Sequence, residues 1–267
     1  MRRRFVRTFL VFVLTAGLTA GAALAQDEEG RSWFTAFLES LVSTPERQVR
    51  ISGFDGVFSA NPKIARVTVA DADGVWLEFD GIEMAWNRAA LFDRTIDIES
   101  LKATRVAMLR KPAVVAEKQQ GGGGTSPPPV AIDIKAISLP QIVLSPDVAG
   151  EAAELTAYGS AEITQEALGA ELVVDRQDRA GSLALKLHLA PQDNVLTADV
   201  KFEEPAGGLA AELLHLRDRP AVAVTLAGTG PLDAWRGTTE VEVGGGRVLA
   251  GGMAVSRVAD EIGRAHV

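Results

Sequence analysis

The chain is predicted to be all-β, and three observations carry that expectation. Apolar residues recur at every second position through most of its length, helical spacing is confined to two short stretches, and 26 glycines punctuate the alternation. The strands expected from this pattern are antiparallel, with one apolar and one wet face.

Helical spacing comes first. Phe34, Phe37, Leu38 and Leu41 fall on one helical face, Ser32 can cap it, and Pro45 ends it. Alternation then takes over: Val49 and Ile51, then Val67 and Val69, stand between polar neighbours. Asp71-Ala72-Asp73-Gly74 reads as a turn, and Val75, Leu77 and Phe79 share the apolar face beyond it. At Gly81 the parity changes, and Ile82, Met84 and Trp86 carry that face onward; a glycine at such a point reads as a β-bulge.

A weak internal repeat follows. Ile96-Asp97-Ile98-Glu99-Ser100-Leu101 is echoed by Ile132-Asp133-Ile134-Lys135-Ala136-Ile137, and Val106 and Met108 are answered by Ile142 and Leu144. Between the copies Gly121–Gly124 and Pro127–Pro129 form a linker or loop. The second half alternates more strictly, with Leu183, Leu185, Leu187 and Leu189 followed by Leu196, Ala198, Val200 and Phe202. A second short helix is expected over Gly208–Leu216, and further strands follow through Val222 and Val241. Two helices are too few to cover roughly a dozen strands. The sheet must close as a barrel, pair as a sandwich or curl into a groove. One Tyr and four Trp cannot supply the aromatic girdles of an outer-membrane barrel.

The start of the chain resembles an export signal. Arg2, Arg3, Arg4 and Arg7 precede an uncharged apolar run, and Ala23-Leu24-Ala25 before Gln26 has the form of a cleavage site between Ala25 and Gln26. A retained membrane anchor is the alternative, and both leave the body outside the cytoplasm. Beyond that segment 23 Lys+Arg face 35 Asp+Glu, or −12, a balance that repels nucleic acid. With no cysteine, disulfides and thiolate metal sites are excluded. Glu261–Val267 reads as translated sequencing adapter, so the natural chain is expected to continue past about Asp260.

Catalytic chemistry finds no foothold. Asp71-Ala72-Asp73-Gly74 lacks the third acid and distal Glu of a calcium loop. His188 and His215 have no partner at metal-ligand spacing, and no Gly-x-Ser-x-Gly elbow occurs. The glycine run lacks the strand, helix and Lys-Ser/Thr of a nucleotide loop. No catalytic residue, cofactor or metal ligand is assigned.

Several stretches resemble the N-terminal region of the TamB family, the translocation and assembly module subunits of Gram-negative bacteria, particularly the alphaproteobacterial forms. They are Ser43–Ile51, Asp71–Leu77, Trp86–Leu91, Arg105–Pro112, Glu204–Leu209 and Gly228–Gly237. The family is similar to AsmA-like and bridge-like lipid carriers. The resemblance implies a long sheet curled into an apolar groove, a β-taco, and a periplasmic bridge anchored in the inner membrane. Its implied partners are phospholipid acyl chains and an outer-membrane barrel of the TamA type, which would meet a C-terminal part absent from this sequence. Implied roles are phospholipid transport and help in assembling outer-membrane proteins; a structural scaffold or chaperone without lipid transport stays open.

The expected organisation is a signal or anchor at 1–25, an amphipathic helix at 26–45, β-groove segments at 46–112 and 130–260 about a linker at 113–129, and a non-native tail at 261–267. Candidate groove residues are Val75, Leu77, Phe79, Ile96, Ile98, Ile132, Ile134, Leu183, Leu185, Leu187, Leu189, Leu196, Val200 and Phe202.

Overall fold

A computed structural model describes residues 47–56, 59–113, 131–164 and 166–256. The expectations for the signal or anchor and its Ala25–Gln26 cleavage site, the helix within 26–45, nearly all of the 113–129 linker and the 261–267 tail lie outside them.

The alternating segments form one sheet whose twelve strands stand side by side in chain order. They are β1 (Gln48–Asp55), β2 (Lys63–Asp71), β3 (Gly74–Asn87), β4 (Thr95–Met108), β5 (Ala131–Leu144), β6 (Ala153–Ile163), β7 (Leu168–Arg176), β8 (Ser182–Ala190), β9 (Val195–Glu204), β10 (Val222–Pro231), β11 (Ala234–Val243) and β12 (Gly246–Ser256). β1 and β12 do not pair, so the sheet is unclosed. Among the described residues there are two short α-helices, α1 (Pro146–Ala149) and α2 (Leu209–Leu213), and one 3-10 segment, Arg88–Asp93. The second helix expected from the pattern is present but shorter, with Gly208 as its N-cap.

The expectation of a purely antiparallel sheet is corrected at one place: β4 and β5 run parallel, making the sheet mixed. Their register is the internal repeat itself. Ile96 lies opposite Ile132, Ile98 opposite Ile134 and Met108 opposite Leu144, a constant offset of 36 residues. Two chain segments with the same spacing of apolar residues can match every side chain only if they run the same way. The strands of 46–112 and those of 130–260 thereby belong to one continuous sheet.

Strand ends define two rims. The upper rim carries the β2–β3 turn, α1 and α2; the lower carries the 3-10 segment and the turn between β10 and β11. The β2–β3 turn forms as its sequence predicts, with the Asp73 N–H donating to Asp71 Oδ1 at 2.9 Å and Gly74 at φ 106°. Asp71, weighed as half of a calcium loop, is a structural clamp. Its carboxylate also accepts from both Arg110 guanidinium nitrogens and from the Ala113 N–H at 2.7 Å. The Arg110 hydrogen bond is the main reason its carboxyl lies far below the usual carboxylate range.

Parity changes at Gly81 as expected, but no extra residue is inserted there. Ile51, Val67, Phe79 and Val106 form one row of paired residues, and Phe54, Ile64, Ile82 and Ala103 the next. In each strand two residues separate those rows, yet side chains from both pack into one core. Gly53 and Gly81 make the change with φ of 64° and 60°, backbone that glycine adopts without penalty. The slip is shared by β1 to β5 and ends as a register shift between β5 and β6.

Candidate functional site

Strict pairing sets which side chains share a face, because directly opposed residues in adjacent strands point the same way. Leu183 opposes Phe202, Leu185 opposes Val200, and Leu189 opposes Leu196. Following the pairs across the sheet, one row runs Met84, Leu101, Ile137, Gly159, Leu172, Leu185, Val200, Leu226. Seven strand spacings of ~4.8 Å make this row about 34 Å long without a charged residue. Ile96 and Ile132, and Ile98 and Ile134, extend the same face toward the lower rim. Thirteen of the fourteen candidate residues therefore lie on one surface.

Val75 is the exception. Val69 pairs with Leu77 but Ala70 pairs with Val75, leaving Trp76 as an inserted residue. The bulge puts Val75 out of step with Leu77 and 37% exposed, while Trp76 joins the buried core. The expectation that Val75 shares a face with Leu77 and Phe79 is thus corrected. A strand read by parity alone cannot reveal an inserted residue when both neighbours are apolar.

Cover on this face is uneven. Leu77, Ile96, Ile98, Ile132 and Ile134 are buried, whereas Leu183, Leu185, Leu187, Leu189, Leu196, Val200 and Phe202 are half-buried. Toward β12, Leu249 is 53% exposed. The opposite face is wet and laced with cross-strand ion pairs, including Lys63–Glu83 at 2.9 Å, Arg66–Asp80 at 2.6 Å and Lys135–Asp97 at 2.8 Å. Exposed pairs of this kind contribute little each, and they keep that face in water. His188 stands on it, opposite Thr197, and His215 ends α2 with its N–H on Glu212 O at 3.0 Å.

At the upper rim the apolar face ends in a buried charge network that sequence reading missed. Arg176 and Glu204 both stand on that face, and Arg176 Nη1 meets Glu204 Oε1 at 2.9 Å. Glu204 also accepts the Leu209 and Ala210 N–H groups at 2.8 and 2.7 Å, satisfying donors that α2 leaves free in its first turn. Arg176 holds Asp178 as well, and that hydrogen bond keeps the Asp178 carboxyl below its ordinary range. Glu151 adds contacts to Arg179 at 3.4 Å and Arg219 at 3.1 Å. Val148 and Ala149 of α1 and Ala211 of α2 are buried, so both helices are packed at this rim.

Trp235 closes the lower rim at β10–β11. A Cβ placed on Gly228 or Gly237 would collide with its ring, so the indole lies over both glycines. Its Nε1 donates to Leu196 O at 3.0 Å, and it is buried. The signal was in the sequence as Gly228-x-Gly230 and Gly237 flanking a lone tryptophan.

Among the described residues no helix is long and apolar enough to cross a membrane. No family model, no curated protein and no solved structure matches the chain.

Proposed function

We propose that the chain is a lipid carrier of the bacterial cell envelope and not an enzyme, with acyl chains lying on the apolar face as on the floor of a groove. The observation that carries this reading is the uncharged row from Met84 to Leu226, every residue of which is half-buried, with no second layer of secondary structure described over it. A twisted open sheet of this many strands curls on itself, and a curled sheet with its apolar side inward is a trough. Acyl chains fit such a floor because they ask for area and no hydrogen bonds.

The TamB-like stretches extend the proposal. The carrier would stand in the periplasm, at the inner membrane through its N-terminal segment, and deliver phospholipid toward the outer membrane with a TamA-type barrel as partner. A second reading, a scaffold for outer-membrane β-proteins, is favoured by β12. This edge strand is 11 residues long with Arg247 as its one charge, and Val248 and Leu249 are exposed, so little guards it against pairing with another strand.

The test uses Leu187, which is half-buried between Ala170 and Ala198. Leu187→Asp should keep the fold, because a carboxylate there reaches water and the lost burial amounts to about 1 kcal/mol. A photocrosslinker at Leu185 should label phospholipid in the parent and lose that label in Leu187→Asp. Unfolding of Leu187→Asp, or a parent that crosslinks no lipid from any residue of the face, overturns the carrier reading.

A further inference from the structure

We infer that the 3-10 segment Arg88–Asp93 is a membrane-contact finger that places Phe92 among the acyl chains of an anionic phospholipid surface. Phe92 is 92% exposed, the most exposed large apolar side chain among the described residues; Val248 follows at 62%. Single exposed apolar side chains are ordinary on a protein surface; what sets Phe92 apart is that its fully exposed ring stands between two exposed arginines on a backbone fixed at both ends.

The exposure is built into the backbone. The segment starts where the Asn87 side chain accepts the Ala89 N–H at 3.1 Å. It ends at Arg94, held at φ 55°, whose carbonyl accepts the Ala131 N–H at 2.9 Å. That bond ties the exit of the segment to the start of the β4–β5 pair. Folding Phe92 back onto the sheet would break one of these ends, and a non-glycine residue at φ 55° is kept only where its surroundings fix it.

Charge selects the partner. Arg88 and Arg94 are exposed on either side of Phe92, against the single acid Asp93. The body of the chain is acidic, so an anionic surface would repel most of it and admit this tip. An aromatic ring bracketed by guanidinium groups matches the boundary between acyl chains and anionic headgroups. The finger rests on this geometry alone and does not depend on acyl chains occupying the sheet.

The chain has no cysteine, so single labels are clean. An environment-sensitive fluorophore on Ala89→Cys reads the finger, and one on Ala72→Cys reads the opposite rim. Vesicles of phosphatidylethanolamine and phosphatidylglycerol carrying brominated acyl chains serve as quencher, with phosphatidylcholine vesicles for comparison. The Ala89 label should be quenched by the anionic vesicles, and the Ala72 label should not. Adding Phe92→Ser should abolish the quenching while the melting curve stays that of the parent. Arg88→Ser with Arg94→Ser should weaken it roughly thirtyfold. Equal quenching at both labels, or quenching that survives Phe92→Ser, overturns the proposal. So does an Ala89 label that responds to envelope proteins but to no vesicle, which would assign Phe92 to a protein groove.

Discussion

Because β4 and β5 run the same way, the chain leaving Met108 must return the length of the sheet before Ala131 can stand beside Thr95. That length is 13 residue steps, about 43 Å at ~3.3 Å per residue. The return starts from Ala113, fixed to Asp71 at the upper rim, and has 18 residue steps to Ala131, about 59–65 Å fully extended. Removing Gly121–Gly124 leaves 14 steps and about 46–50 Å, which still reaches. Removing Gln119–Ser126 leaves 10 steps and about 33–36 Å, which does not. The longer deletion can be absorbed only by pulling Ala113 and Arg110 off Asp71, a loss of about 3–5 kcal/mol for a broken, largely buried pair. Tm should fall by roughly 6–20 °C for a chain of this size. Asp71→Ala should fall by a similar amount, and combining it with the eight-residue deletion should add little further. Thermal melts followed by circular dichroism on the parent and the four variants read all of this. An eight-residue deletion as stable as the parent would mean that the connection does not span the strands, and the parallel pair would be wrong.

The pH dependence of stability follows from the same aspartate. Its carboxyl is depressed below the ordinary value of 3.8, so the clamp contributes fully above about pH 4 and is lost as the pH falls below it. Denaturant titrations between pH 5 and 2 should show a steeper loss in the parent than in Asp71→Asn; parallel curves would remove Asp71 from the account. Glu204→Ala strips Arg176 of one partner and two α2 N–H groups of their acceptor, and should lower stability by about 3–5 kcal/mol in urea unfolding. A loss below about 1 kcal/mol would show that the pair is solvated. Gly228→Ala should displace the Trp235 ring and red-shift the tryptophan emission, with little change if the ring can tilt freely.

Legibility in the sequence followed the range of each interaction. The strands and the shared face of Leu183 to Leu189 with Leu196 to Phe202 could be read because alternation is a property of neighbouring residues. The repeat was visible, but whether its copies pair, and in which direction, is decided over 36 residues by a connection without any apolar pattern. α1 is a single turn and offers no helical period to detect. The network of Arg176, Asp178, Glu151 and Glu204 draws on three separate segments, and each acid looks by itself like one more residue of the wet face.

The common slip through Gly53, Gly81 and their neighbours is a crease, like the fold line pressed into a sheet of card. Since each strand changes phase at the same height, none can revert alone. Restoring simple alternation in β2 would send either Ile64 or both Val67 and Val69 to the wet side while β1 and β3 kept their partners in place. The crease is therefore inherited by the group of strands and not by any one of them. Substitutions along it should survive evolution only in matched sets, which makes this line the least editable part of the sheet.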